Sequence, residues 1–280
     1  MSETLLNRRR RRWRLDARAV GLVLTVAAIL IAALGALIAP FDPFDTVNTA
    51  LLAPSADHLL GTDDLGRDLL SRLVAGLRVS LVVGLVVALS SMVIGGFVGL
   101  VAGSLGGRAD DLLMRFAELI QILPRFFLAL LVVALFGSSL VNLIVVLALT
   151  SWAVTARIMR SRVLVVKELE FVEASRAIGA GDLRIMVRSI APNALAPIVS
   201  LVGLQFGGAI LVEAGLSFLG LGDPNVVSLG QMLSRAQPFM RTAWWMAIFP
   251  GLALAMTILG VNLLADSLNR FLDPRSIGPR

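Results

Sequence analysis

The 280-residue chain has no cysteine, a single histidine (His58) and a single lysine (Lys167). Without thiols there is no disulfide framework, and one histidine with no cysteine beside it makes no zinc centre. The aspartates near His58 lack the alternating carboxylates and closing glutamate of a calcium loop, so no metal site is expected. Intramembrane hydrolysis needs a nucleophile with its base. With no cysteine, and His58 in a loop, only a Ser/Lys arrangement is left for it. The lone lysine also bears on nucleotide binding. GGFVGLVAGSLGG (Gly95 to Gly107) has no lysine after its glycines, as a Walker A loop requires, and Lys167 follows no glycines. This chain is therefore expected to hold no ATP and no cofactor, and close helix packing through small residues accounts for the glycines.

Charge is scarce too. Only 16% of residues are charged and 57% are hydrophobic, with mean hydropathy +0.87, whereas about a quarter of a soluble domain is charged. Such a chain belongs in lipid. Its net charge of +6 fits basic loops retained on the cytoplasmic side better than a nucleic-acid partner, and none is expected.

Crossing a hydrocarbon core about 30 Å thick takes about 20 apolar helical residues. Six runs qualify: Val20 to Ala39, Val79 to Leu105, Leu112 to Phe136, Leu140 to Ala156, Leu195 to Glu213 and Trp244 to Ala265. The leader RRRRRWRLDAR (Arg8 to Arg18) lacks a signal-peptide cleavage site and is expected to stay cytoplasmic. The loop from Pro40 to Leu77 then falls outside, with six aspartates against Arg67 and Arg72. Arg157 to Asn193 falls inside with six arginines and Lys167, and so does the tail with Arg270, Arg275 and Arg280. The expected fold is an all-α membrane protein of six spans with both termini cytoplasmic. Its parts are an N-terminal segment 1–19, a first span 20–39, an external loop 40–78 with an amphipathic helix, a five-span core 79–267 containing a cytoplasmic loop 157–194, and a tail 268–280.

Within that loop the chain reads FVEASRAIGAGDLRIMVRSIAPNALAP. Ala and Glu around Glu173 to Ile178 favour a short helix, and Gly179 and Gly181 suit its C-cap and turn. Asp182 is placed to cap a second helix whose apolar face is Ile185, Met186 and Ile190, ended by Pro192. Helices this short are marginal alone in water and must pack on something else.

Glu173, Ala174, Gly179, Ile190 and Pro192 resemble the EAA loop of ABC importer permeases, with Ser175 in place of the second alanine. HLLGTDDLGRDLLSRLVAGLRVSL (His58 to Leu81), EAGLSFLGLG (Glu213 to Gly222) and LDPR (Leu272 to Arg275) resemble segments of the dipeptide, oligopeptide and nickel branch. The chain is thereby identified as similar to the second, C-type permease of that branch, with the type I importer fold. The resemblance implies that residues 173–175, 179, 182, 190 and 192 form a coupling helix seated on an ATPase. It also implies a companion permease, two ATPase domains carrying ATP and Mg²⁺, an external substrate-binding protein, and a bacterial or archaeal cytoplasmic membrane. Peptides are the expected cargo, with nickel complexes, glutathione or another small solute as alternatives. A secondary transporter is the rival class, and it would leave the EAA-like loop unexplained.

Two further sets of residues carry expectations. In TDDLGRDLL, Thr62 can cap a helix, Asp63 and Asp64 complement its dipole, Asp68 can pair with Arg72, and Leu65, Leu69 and Leu73 share a face. With Gly61, Gly66 and Arg67 this stretch is expected either to steady the second span or to dock the binding protein. His58 is expected to be structural or solvated. Inside the membrane, Arg125 either faces a water-filled path or is buried against a carboxylate. On the first reading it offers a guanidinium to an anionic group. Glu118 is expected near Arg115, and Glu213 at the outer end of the fifth span, as further candidates for the translocation path.

Overall fold

The computed structural model describes the backbone of residues 2–46 and 49–272, and the side chains within 18–268 except 36, 47–48 and 196–197. Residues 273–275 of the LDPR motif lie outside the described residues. Among these the chain is all-helical, and its one bridge of extended backbone joins Thr62 and Asp68. The main helices are α1 (Ser2–Ala33), α2 (Leu69–Leu105), α3 (Gly107–Ile122), α4 (Arg125–Phe136), α5 (Leu140–Val166), α6 (Glu170–Ala177), α7 (Ala196–Phe218), α8 (Leu229–Ala236) and α9 (Trp245–Leu272).

Four of them, α2, α5, α7 and α9, are long and apolar enough to cross a membrane. The expected third span is not one helix. α3 and α4 qualify only as a pair bent by 74°, because Pro124 has no N–H to donate and forces Leu123 into extended backbone (φ −80°, ψ 121°). In α1 the apolar part, Arg18–Ala33, is shorter than a span, and the helix breaks at Leu34 before a single turn, Gly35–Ile38. The second span begins ten residues before Val79, at Leu69, and among the described residues of the loop no separate amphipathic helix precedes it. Its cap is Asp68, not Thr62: the Asp68 carboxylate accepts from the Ser71 N–H at 2.8 Å. Leu65 lies in the turn before it.

Lipid is as apolar as leucine, so close van der Waals contact must hold such helices together. The glycines supply it. Gly95, Gly99 and Gly103 lie along one seam of α2 against α5, where an added Cβ would strike the Trp152 carbonyl, the Ala156 carbonyl and the Val163 side chain. A central apolar cluster joins Val83 and Val87 of α2, Ala129 of α4, Leu143 and Leu147 of α5 and Leu216 of α7. Large side chains such as Val23, Phe97 and Leu135 point outward, as lipid-facing residues do. At one end of the bundle Leu69, Leu229, Met232 and Trp245 pack together; at the other Val163, Val172, Ile185, Ile190 and Ile198 do.

Candidate functional site

The EAA-like segment sits at the arginine-rich end. α6 runs Glu170–Ala177, and after it Gly179 adopts φ +82°. The Gly179 N–H donates to the Arg176 carbonyl and the Ala180 N–H to that of Ser175, which is the Schellman closure of a helix. Nothing lies within 4 Å of a Cβ on Gly179, so the backbone angle alone selects glycine, not a collision. The second helix starts differently from expectation. Gly181 holds the cap position with no side-chain bond, and Asp182 is the first helical residue. Pro192 does not end this helix, which widens into a π-turn at Met186–Ile190 and continues through Ala191–Ala194. The wider turn absorbs the missing proline N–H.

The two short helices are anchored on one side and bare on the other. Val172, Ile185 and Ile190 are buried against Met159 and Val163 of α5 and Ile198 of α7. Ile178 is 86% exposed and Leu183 70% exposed at the tip, with Glu173 and Ala174 also exposed. Beside the tip lies an open groove of about 710 Å³ lined by Gly181, Asp182, Leu183, Arg184, Val187 and Arg188.

At the opposite end, residues 61–68 fold into a tight knot around Asp63. Its Oδ1 accepts from the N–H groups of Leu65 and Arg67, and its Oδ2 from Arg67 Nε at 2.7 Å. Arg72 Nε approaches the same oxygen at 3.4 Å, and Arg72 Nη1 donates to the Pro43 carbonyl. Arg72 therefore pairs with Asp63, not with Asp68. Asp68 is engaged by Ser71 and by His58, whose Nδ1 lies 3.0 Å from Oδ1. His58 is buried and structural rather than solvated. Gly61 (φ +81°) and Gly66 (φ +75°) permit the turns, and Thr62 ties the knot to residues 49 and 52. Asp63 and Asp68 thus have their carboxylates inward. Asp64 remains partly exposed and reaches Arg235 of α8 at 3.8 Å.

Between these ends, Arg125 is half-buried, and among the described residues no carboxylate lies within 4.0 Å of it. Its Nη1 donates to Gln205 Oε1 at 2.8 Å, and its Nη2 lies 3.5 Å from the Ser151 carbonyl. The same carbonyl accepts from Gln205 Nε2 and Ser91 Oγ, each at 3.0 Å, and Ser91 also bonds Thr155 at 2.7 Å. Glu118 is exposed on α3 and forms no ion pair with Arg115 among the described residues. Glu213 is fully buried in α7 and accepts from Ser217 at 2.7 Å. Gln205, Ser151 and Ser91 escaped the reading by charge because they are neutral. The signal for Gln205 was there, as the one carboxamide within the apolar run of α7.

The transport-family model described as "binding-protein-dependent transport system inner membrane component" matches residues 95–278. The chain belongs to this family of ABC importer permeases. A dipeptide transport system permease protein DppC from Escherichia coli is 44% identical over 264 residues, covering 91% of this chain and 88% of that protein. A di/tripeptide transport system permease protein DppC from Pseudomonas aeruginosa is 38% identical over 263 residues, covering 91% and 87%. Among solved structures, the MetNI methionine ABC transporter in an inward-facing form aligns with TM-score 0.60 at 21% identity, over 72% of this chain and 96% of that one. These matches put the permease in the dipeptide/oligopeptide branch as a multi-pass membrane protein, and the solved structure supports the fold. Secondary-transporter and hydrolase readings fall away.

Proposed function

We propose that this permease forms half of the translocation pore of an ATP-driven importer of di- or oligopeptides, paired with a second, related permease in a bacterial or archaeal cytoplasmic membrane. The observation that carries the coupling is the asymmetry of α6 and the turn after it. Their base is locked into the bundle, while Ile178 and Leu183, large apolar residues beside charged ones, stand bare at the tip. A short helix held this way passes a push from a partner to the spans as a rigid body. That partner is a pair of ATPase domains on separate subunits, which carry the ATP and Mg²⁺. Glu173, Ala174, Ser175, Gly179, Asp182, Ile190 and Pro192 form the coupling unit; Ile190 acts from inside, by anchoring it.

Arginines crowd this end, which makes it cytoplasmic. Both termini then lie inside, with six spans counting α1 and the bent α3/α4 pair. The knot from Gly61 to Asp68 faces outside, where a substrate-binding protein delivers cargo. Asp64 and Arg235 are the charges it leaves accessible for docking, while Asp63, Arg67 and Asp68 keep the surface in shape. A cavity of about 320 Å³ beside them is lined by Ser217, Gly220, Gly222, Gln231, Ser234 and Arg235. Arg125 belongs to the translocation path. Glu118 lies on the face turned to lipid or the companion permease, and Glu213 braces the outer turn through Ser217.

The test is co-purification of the tagged permease from detergent, comparing wild type with a Glu173→Arg, Gly179→Arg double mutant of equal membrane abundance. The wild type is expected to bring down ATPase and companion permease, and the mutant to lose the ATPase alone. A wild type that purifies without ATPase, under conditions that preserve known complexes, overturns the coupling.

A further inference from the structure

Two interruptions of helix and one half-buried cation meet at a single carbonyl. The α3/α4 break makes Arg125 the first residue of α4, and a π-turn, Ser91–Gly95, interrupts α2. Arg125, Gln205 and Ser91 all donate to the Ser151 oxygen. Both acceptors of the guanidinium are neutral, and among the described residues no carboxylate lies within 4.0 Å of it. A cation held in the membrane without a counter-charge is costly and marks a substrate or ion path, and π-turns collect at functional positions. The break itself is uncovered on one side: Ile122, Leu123 and Pro124 are exposed. Interrupted backbone at membrane depth is tolerated only against protein or a water-filled cavity.

We propose that Arg125 and Gln205 form an intramembrane receiving site for the C-terminal carboxylate of a peptide in transit. This inference rests on the peptide reading above. Gln205 Oε1 sits where a carboxylate oxygen would meet Nη1, as a neutral stand-in. A charge-assisted bond is roughly twice as strong as a neutral one, so an arriving carboxylate displaces the carboxamide oxygen. Gln205 stays tethered to Ser151 through Nε2 and swings back once the peptide leaves. The guanidinium, with its planar fork of donors, suits a carboxylate better than an ammonium would. The stand-in also keeps the site from holding its ligand too tightly, since conduction requires both entry and exit.

The experiment uses the complete transporter in proteoliposomes: this chain, its companion permease, the ATPases and the binding protein. Uptake of alanyl-alanine and of its C-terminal amide is measured, with each saturating the binding protein. Wild type is expected to prefer the acid. Arg125→Gln should cut acid uptake about tenfold or more, to the level of the amide, in a transporter that still assembles. Arg125→Lys should retain at least about a third of acid uptake, because one charged donor survives. Acid uptake that is unchanged in Arg125→Gln, or equally lost in both variants, overturns the site. Loss of the companion permease from Arg125→Gln would assign the missing carboxylate to that subunit and also overturn it. A wild type that carries neither peptide overturns the peptide reading and this inference with it. A wild type that carries both equally overturns the inference alone.

Discussion

Trp245, at the start of α9, donates its indole N–H to the carbonyl oxygen of Thr62 at 3.2 Å, joining residues 183 positions apart in the chain. The indole also packs with Leu69, Leu229 and Met232, and a Cβ on Gly61 would meet its nitrogen. Thus the aspartate knot, the head of α2 and the head of α9 form one unit. Trp245→Phe keeps most of the packing and orphans a buried carbonyl, which costs about 1–3 kcal/mol. Thermal unfolding in detergent should show a lower midpoint, and an unchanged midpoint would remove Trp245 from this role.

Asp63 and Asp64 are neighbours in sequence and opposites in surroundings. Asp63→Asn leaves Arg72, 1% exposed, without its counter-charge, and breaking a buried pair costs about 3–5 kcal/mol. Asp64→Asn touches a partly exposed pair with Arg235 and costs at most about 1 kcal/mol. Denaturant titration of the two variants should separate them by at least about 2 kcal/mol. Equal losses would contradict the inward placement of Asp63. Affinity for the binding protein should respond to Asp64→Asn and be measured by surface capture of the folded complex.

The glycine seam makes a third prediction. Gly99→Leu drives a side chain into the Ala156 carbonyl and the Met159 Cβ, and α2 can yield only by moving off α5. Membrane abundance of the folded permease should fall to a small fraction of wild type, in keeping with an overpacking cost of about 3 kcal/mol. Gly208→Ala, where nothing lies within 4 Å, should be neutral or stabilising by up to about 1 kcal/mol. Similar abundance for both variants would show that the seam does not hold the helices.

The coupling segment offers a matched pair as well. Ile178→Asp changes only an exposed tip, so the melting temperature should stay put while ATPase recovered with the complex drops about tenfold, roughly 1.4 kcal/mol. Val172→Asp buries an unpaired charge in the cluster with Ile185 and Ile198 and should lower the melting temperature itself. If Ile178→Asp retains full ATPase recovery, the docking face lies elsewhere on the loop.

Composition and hydropathy suffice for the membrane class, the helical periodicity and the lack of cysteine, because each depends on residue type summed over a window. The glycine of the Schellman turn was legible for the same local reason: its positive φ is a property of one residue. Three features depended on distance in space instead. Pro124 announces a break but not its 74° bend; the helices packed against both halves set that angle. Asp68 and Arg72 stand at helical spacing, yet each took a partner from outside the helix, since His58 and Asp63 offered shorter contacts once the loop had folded back. Gln205 and the Ser151 carbonyl reach Arg125 from two other helices, and no sequence window contains all three. The sequence by itself decided what must be buried in lipid and where the backbone must turn. Which polar groups meet there was decided by tertiary packing, because in a medium without water each must find its partner wherever the bundle brings one.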